Sequence, residues 1–135
     1  MITNRDKIFF KMATLLAQSS THHKFRMGAV IIQNGDILST GVNSSKTHPL
    51  QMKYNKYRNI KINNHCVHAE MNAIVKTSNK NLLKGAIIYI SRLKENGVGM
   101  SRPCKACMEA LKDFGIRDIC YSTDIGYAKE YINAN

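Results

Sequence analysis

Tryptophan is absent from these 135 residues, which leaves 6 tyrosines and 4 phenylalanines as the aromatics. No run approaches the roughly 18 consecutive apolar residues of a membrane-spanning helix, so a membrane partner is not expected. The stretch Met1-Ile2-Thr3-Asn4-Arg5-Asp6-Lys7 lacks the long apolar core of a secretory signal, and a cytoplasmic location is the expectation. Repeats and low-complexity tracts are missing as well. A hydrophobic fraction of 44% is enough to fill one core at this length, so residues 1–135 read as a single domain.

Acidic residues are scarce. Against 20 Lys plus Arg stand 9 Asp plus Glu, giving a formal net charge of +11 and a pI near 9.7. Such an excess favours a phosphate-bearing partner through long-range attraction. It does not separate a mononucleotide from a single strand or a tRNA, and an AT-rich genome would also enrich lysine.

Cysteines number only 4. In a reducing compartment, Cys104-Lys105-Ala106-Cys107 reads as metal-binding or redox chemistry rather than as half of a disulfide framework. His68-Ala69-Glu70 supplies the missing imidazole. One histidine and two thiolates make three ligands for zinc; structural zinc sites close the tetrahedron with four, whereas three leave a position for water. Zinc lowers the pKa of such a water toward about 7, and Glu70 would handle its protons. His68 and Cys104 each open a predicted helix, whose N-terminal N–H groups favour thiolate. Cys120 reads as a small buried hydrophobe, and Cys66 as a packing residue or a reactive thiol.

The order H-x-E…P-C-x-x-C, carried here by His68, Glu70, Pro103, Cys104 and Cys107, resembles the cytidine and deoxycytidylate deaminase superfamily of zinc enzymes. Phe114-Gly115-Ile116 and Cys120-Tyr121-Ser122 look most like the deoxycytidylate branch. The tRNA adenosine deaminases usually differ where Ala106 and Met108-Glu109 stand. The resemblance implies hydrolytic deamination of a cytosine-bearing nucleotide (dCMP- or CMP-like) to the uracil product and ammonia. It also implies one Zn2+ per chain and a homo-oligomer. By the same resemblance Asn43 would meet the sugar and Arg26 the phosphate. The backbone N–H groups of Ala69 and Cys104 would fix the ring.

Hydrophobic periodicity predicts a helix over Asn4–Ser20 with Ile8, Met12, Leu15 and Leu16 as its apolar stripe, capped by Thr3 or Asn4. Asn34-Gly35 predicts a hairpin joining strands 28–33 and 36–42. Residues 44–64 carry Lys46, Lys53, Lys56, Arg58 and Lys61 with Tyr54 and Tyr57 and no acid, which suits either a binding loop or a solvated connection. A helix over 67–78 and a doubly buried strand over 85–91 follow. A flexible excursion over 94–100 leads to a helix over 104–114 and a strand over 116–121. Residues 124–132 read as a closing helix, with a short edge strand as the alternative. The sum is an α/β fold, a three-layer α/β/α sandwich with a mixed four- or five-stranded sheet, as the resemblance also implies.

Two other functions fit parts of this pattern. A deaminase acting on single-stranded DNA or RNA would use the basic loop with Tyr54 and Tyr57 as stacking faces, and the basic length between Arg92 and Arg102. A closed structural zinc site, with Cys66 as fourth ligand, would make a non-catalytic nucleic-acid-binding module. That reading has no need of Glu70 or Pro103. His22, His23, His48 and His65 receive no chemistry.

Overall fold

Asn34 and Gly35 adopt φ of 51° and 84°, the paired left-handed conformations of a type I′ turn. They join β1 (Arg26–Gln33) to β2 (Asp36–Val42) as the expected antiparallel hairpin. The computed structural model describes residues 2–22, 25–58 and 66–133. His23, Lys61 and His65 lie outside the described residues.

β3 (Ile87–Lys94) pairs antiparallel with the other edge of β1, and β5 (Asp118–Thr123) pairs parallel with β3. β6 (Gly126–Tyr131) closes antiparallel on β5. The path runs β2-β1-β3-β5-β6, and β4 (Gly97–Gly99) folds back onto β3, making a mixed sheet of six strands. Helices α2 (Pro49–Tyr54), α3 (Ala69–Lys76) and α4 (Lys105–Asp113) cover one face, packing Tyr54, Met71, Ile74 and Leu111 against Ile31, Ile88 and Ile90. Helix α1 (Asn4–Ala17) covers the other face, with Phe9, Phe10 and Ala13 against Val30, Ile32 and Tyr89. The expected three layers are present, with six strands where four or five were expected, because residues 97–99 and 126–131 both pair into the sheet. Each large side chain buried this way contributes about 1.5–3 kcal/mol. Among the described residues, no helix is long and apolar enough to cross a membrane.

Four sequence expectations change. In α1 the buried face is Phe9, Phe10, Ala13 and Ala17, whereas Ile8 and Leu15 are 61% and 54% exposed. Small Ala13 and Ala17 let the helix backbone lie directly against Gly28 of β1, and the two phenylalanines fill the space around Tyr89. Close approach outweighs the longer aliphatic stripe.

The segment read as a closing helix, with a short edge strand as the alternative, is strand β6. Tyr127 and Lys129 reach the α1 face, where Phe10 stacks on Tyr127 at 4.0 Å and Lys129 pairs with Asp6 at 2.9 Å. Ala128 and Ile132 pack on the opposite core. The free edge of β5 takes the hydrogen bonds, and the period of two follows. The excursion over 94–100 is likewise ordered as the β3–β4 hairpin. The connection after β2 holds α2 and a 3-10 turn (Asn55–Tyr57), begun by His48, whose Nδ1 accepts from the Leu50 N–H at 3.0 Å.

Candidate active site

The connections β2–α3 and β3–α4 deliver the chemistry to one end of the sheet. His68 is the N-cap of α3 and Cys104 the N-cap of α4, and neither side chain makes a capping bond. Both are therefore free to turn toward a common point, and Cys107 in the first turn of α4 joins them. His68 Nδ1 lies 3.5 Å from Cys104 Sγ and 3.2 Å from Cys107 Sγ, and all three donor atoms fall within 4.8 Å of one another. A buried serine pair holds the approach to Cys104. Ser101 Oγ donates to the Ile90 carbonyl (3.0 Å) and accepts from the Ser122 N–H (2.8 Å), while Ser122 Oγ donates to the Gly99 carbonyl (2.6 Å).

The donor set fits zinc. With Zn–S near 2.3 Å and Zn–N near 2.0–2.1 Å, a tetrahedral centre separates nitrogen and sulfur donors by about 3.6 Å. The observed separations sit just inside that figure. The sulfurs already behave as a pair sharing charge. The Cys107 thiol, aided by His68, pulls Cys104 down to about 3 against the effect of burial. Cys107 is driven well above its ordinary value by that same thiolate and by burial. A bound dication would be held by both sulfurs in place of that shared proton. Among the described residues the cluster holds His68, Cys104 and Cys107, and Cys66 is not part of it.

Glu70, one helical residue beyond Ala69, is 2% exposed, and its Oε1 has no hydrogen-bond partner. Burial pushes its carboxyl up, with His68 pulling it down and the charge on Cys104 adding to the rise. An orphaned buried carboxylate oxygen is costly to maintain. Beside a metal-ligand cluster it is placed to trade protons with a bound solvent molecule or substrate.

A cavity of about 220 Å³ opens beside His68, lined by His22, Phe25, Met27, Asn43, Arg58 and His68. Phe25 and Met27 give it apolar walls, and Arg58 is its cation. Asn43 is 5% exposed, with Oδ1 accepting from Ser20 Oγ (2.5 Å) and the Met27 N–H (2.9 Å) and Nδ2 donating to the Phe25 carbonyl. It thus ties the start of β1 to the end of β2 while facing the cavity. Arg26 begins β1 and is not among the lining residues.

Residues 3–123 match the family description "Cytidine and deoxycytidylate deaminase zinc-binding region". The chain belongs to this family. Among relatives, deoxycytidylate deaminase from Saccharomyces cerevisiae is 29% identical over 129 residues, covering 87% of this chain and 37% of that protein. The same name from Mycobacterium phage D29 is 27% identical over 128 residues, covering 86% and 92%. The chain thus spans 37% of the length of the budding- and fission-yeast relatives. Among solved structures, dCMP deaminase from cyanophage S-TIM5, in complex with dCMP and dUMP, aligns with a TM-score of 0.62 at 21% identity, covering 91% and 84%. Cytidine deaminase from Burkholderia pseudomallei aligns with a TM-score of 0.64 at 15% identity, covering 93% and 91%. These likenesses establish the fold of the family.

Within that fold, several basic and aromatic residues that a polynucleotide reading would use have partners in the chain. Arg102 pairs with Glu130 through two bonds of 2.7 and 3.1 Å, and Lys94 faces Asp124 at 3.5 Å. Tyr54 is 4% exposed and donates to Asp113 at 2.8 Å, so it is core rather than a stacking platform. Cys120 is fully buried, as read from the sequence, and burial pushes its thiol up to about 12. Sequence reasoning missed Phe25, Met27, Ser101, Ser122 and Gln51. Ser122 ends a stretch that carries the resemblance but had no role of its own; the others belong to no motif, and only contacts between segments distant in sequence give them a place.

Proposed function

We propose that this chain catalyses hydrolytic deamination of a cytosine-bearing mononucleotide of the dCMP type, releasing ammonia and leaving the uracil nucleotide. The observation that carries this is Glu70: a buried carboxylate with an unpartnered oxygen, set against the His68, Cys104 and Cys107 donors. A dCMP deaminase structure holding dCMP and dUMP, and relatives named deoxycytidylate deaminase, support the choice of nucleotide.

When bound by these donors, zinc supplies a Lewis-acidic position that makes water nucleophilic near neutral pH. Glu70 takes the proton from the attacking water, hands it to ring N3, and delivers the second proton to the C4 amino group that departs as ammonia. Water in and ammonia out balance the reaction. The N–H groups of Ala69 and Cys104, at helix starts where no intrahelical acceptor exists, suit the ring's carbonyl and developing charge. Phe25 and Met27 would line the base or sugar. Asn43, which lines the cavity, would meet the sugar, and Arg58 is the cation that faces the cavity where a phosphate would enter. Assembly into homo-oligomers, which the family resemblance implies, has the exposed Ile8 and Leu15 of α1 as an apolar surface to cover; sedimentation of the purified protein decides it.

The deciding assay offers cytidine, deoxycytidine, dCMP, dCTP and a cytosine-containing single strand, each scored for ammonia and uracil product. Turnover confined to dCMP supports the proposal. Turnover on the single strand alone, or on no substrate by a zinc-loaded protein, overturns it.

A further inference from the structure

A fully buried glutamine stands next to the metal-ligand cluster. Gln51 of α2 is 0% exposed, unusual for a side chain with a polar amide. Its Nε2 donates to Asn55 Oδ1 at 2.8 Å, and its Oε1 accepts from the backbone N–H of His68 at 3.0 Å. A backbone N–H can only donate, so the pair of contacts fixes which way the amide points.

Helix chemistry explains why an acceptor is needed there. The N–H of an N-cap residue is commonly satisfied by a glutamate or glutamine at N3. Helix α1 does this with Thr3 and an aspartate, Asp6. In α3 the N3 position is Met71, Glu70 is turned to the site, and the His68 imidazole faces the two sulfurs instead of capping. Gln51 reaches in from another element to do the work of the missing N3 side chain.

The preceding residue is held by the same loop. Ser44 N–H donates to the Val67 carbonyl (3.1 Å) and Val67 N–H to the Lys46 carbonyl (2.8 Å), so the loop's ends form a small antiparallel bridge. Helix α2 also grips α4 through Tyr54 and Asp113. That contact lies at the C-terminal end of α4, away from Cys104 and Cys107, so it anchors α2 without reaching the ligands.

We propose that Gln51 is a positioning residue for the metal centre. By accepting the His68 N–H it fixes the backbone from which the imidazole projects, and residues 44–55 serve as a brace for a metal ligand rather than as a substrate lid. This rests on the zinc reading above, and the test separates the two.

The zinc-loaded protein is mixed with the chromophoric chelator 4-(2-pyridylazo)resorcinol and the rate of zinc release is followed. Gln51→Met keeps length and volume but removes the acceptor. It should release zinc about 10- to 100-fold faster, the usual cost of losing a group that orients a metal ligand. Tyr54→Phe loosens the same helix without touching His68 and should release zinc at the parent rate even if its melting temperature falls. Asn55→Ala frees the Gln51 amide and should shift release in the same direction by a smaller factor. Asn55→Asp, which keeps an acceptor for Nε2, should return toward the parent rate. Equal rates for Gln51→Met and the parent, or equal acceleration by Gln51→Met and Tyr54→Phe, overturn the brace. If Gln51→Met does not fold, Asn55→Ala against Tyr54→Phe decides by the same criterion. A parent that takes up no zinc sinks the deaminase proposal; a zinc-loaded parent with an indifferent Gln51 sinks only this one.

Discussion

Gly41 of β2 and Ala69 of α3 are in backbone contact. A Cβ built on Gly41 would lie 2.4 Å from the Ala69 carbonyl oxygen and 2.5 Å from the Ala73 nitrogen. That contact sets the height of the α3 N-terminus over the sheet, and with it the positions of His68 and Glu70.

Gly41→Ala is therefore expected to damage stability and site together. No flexible side chain stands in the way, so the helix itself must move. Overpacking of this kind costs about 1–3 kcal/mol. Urea unfolding should show that loss, and the purified variant should retain less zinc than the parent. Unchanged stability with full zinc content would contradict the assigned contact.

Glu70→Gln should leave metal binding intact and remove most of the activity. The amide fills the same space but cannot carry a proton, and positioned acid–base catalysis is worth about 10²–10⁴-fold. Elemental analysis should find parent-level zinc in the variant, with ammonia release reduced by that factor. A variant that turns over dCMP as fast as the parent would remove Glu70 from the reaction.

Arg58→Ala tests the phosphate. A charged hydrogen bond is worth about 1.5–3 kcal/mol, so KM for dCMP should rise roughly 10- to 100-fold at similar kcat. Whatever slow reaction deoxycytidine shows should be unaffected, since it has no phosphate to lose. Equal losses on both substrates would place Arg58 in the scaffold instead.

Far from the site, Asp6 should govern acid stability. Burial alone would raise its carboxyl, but bonds from Lys129 (2.9 Å), the Thr3 N–H (2.9 Å) and Tyr89 Oη (2.5 Å) hold it well below the ordinary carboxylate range. A folded value below the unfolded one, about 3.9, stabilises the protein above that pH and is lost as pH falls through it. Asp6→Asn should cost about 2 kcal/mol at pH 7, with the gap to the parent narrowing by pH 3. A gap that stays constant over this range would rule out the titration of Asp6 as its source.

Legibility followed the range of the interaction involved. The hairpin at Asn34-Gly35 was plain because its signal is two adjacent residues with a required backbone conformation. The continuous apolar run of β3 announced burial on both faces, and Ile88 and Tyr89 do point into opposite cores. The α1 stripe misled because Ile8 and Leu15 share helical spacing with a core they do not enter. Strand β6 stood only as the alternative to a helix because its residues adopt their period only when the open edge of β5 is available. At the site, His68, Glu70, Cys104 and Cys107 formed a recognisable pattern, whereas Gln51 and Phe25 carry no local mark of their role.

The sequence by itself determined the chemistry. Ligand types, the carboxylate two residues from the histidine, and helix starts beneath His68 and Cys104 are properties of short stretches of chain, and they suffice to specify a zinc-binding deaminase motif. Only the tertiary structure decided the surroundings: that three donors converge within 4.8 Å, that Arg58 faces the cavity, and that a buried amide from α2 holds the His68 backbone. The reason is physical. A motif fixes which atoms can react, but distance, burial and hydrogen-bond satisfaction arise between segments remote in sequence, and no single segment contains them.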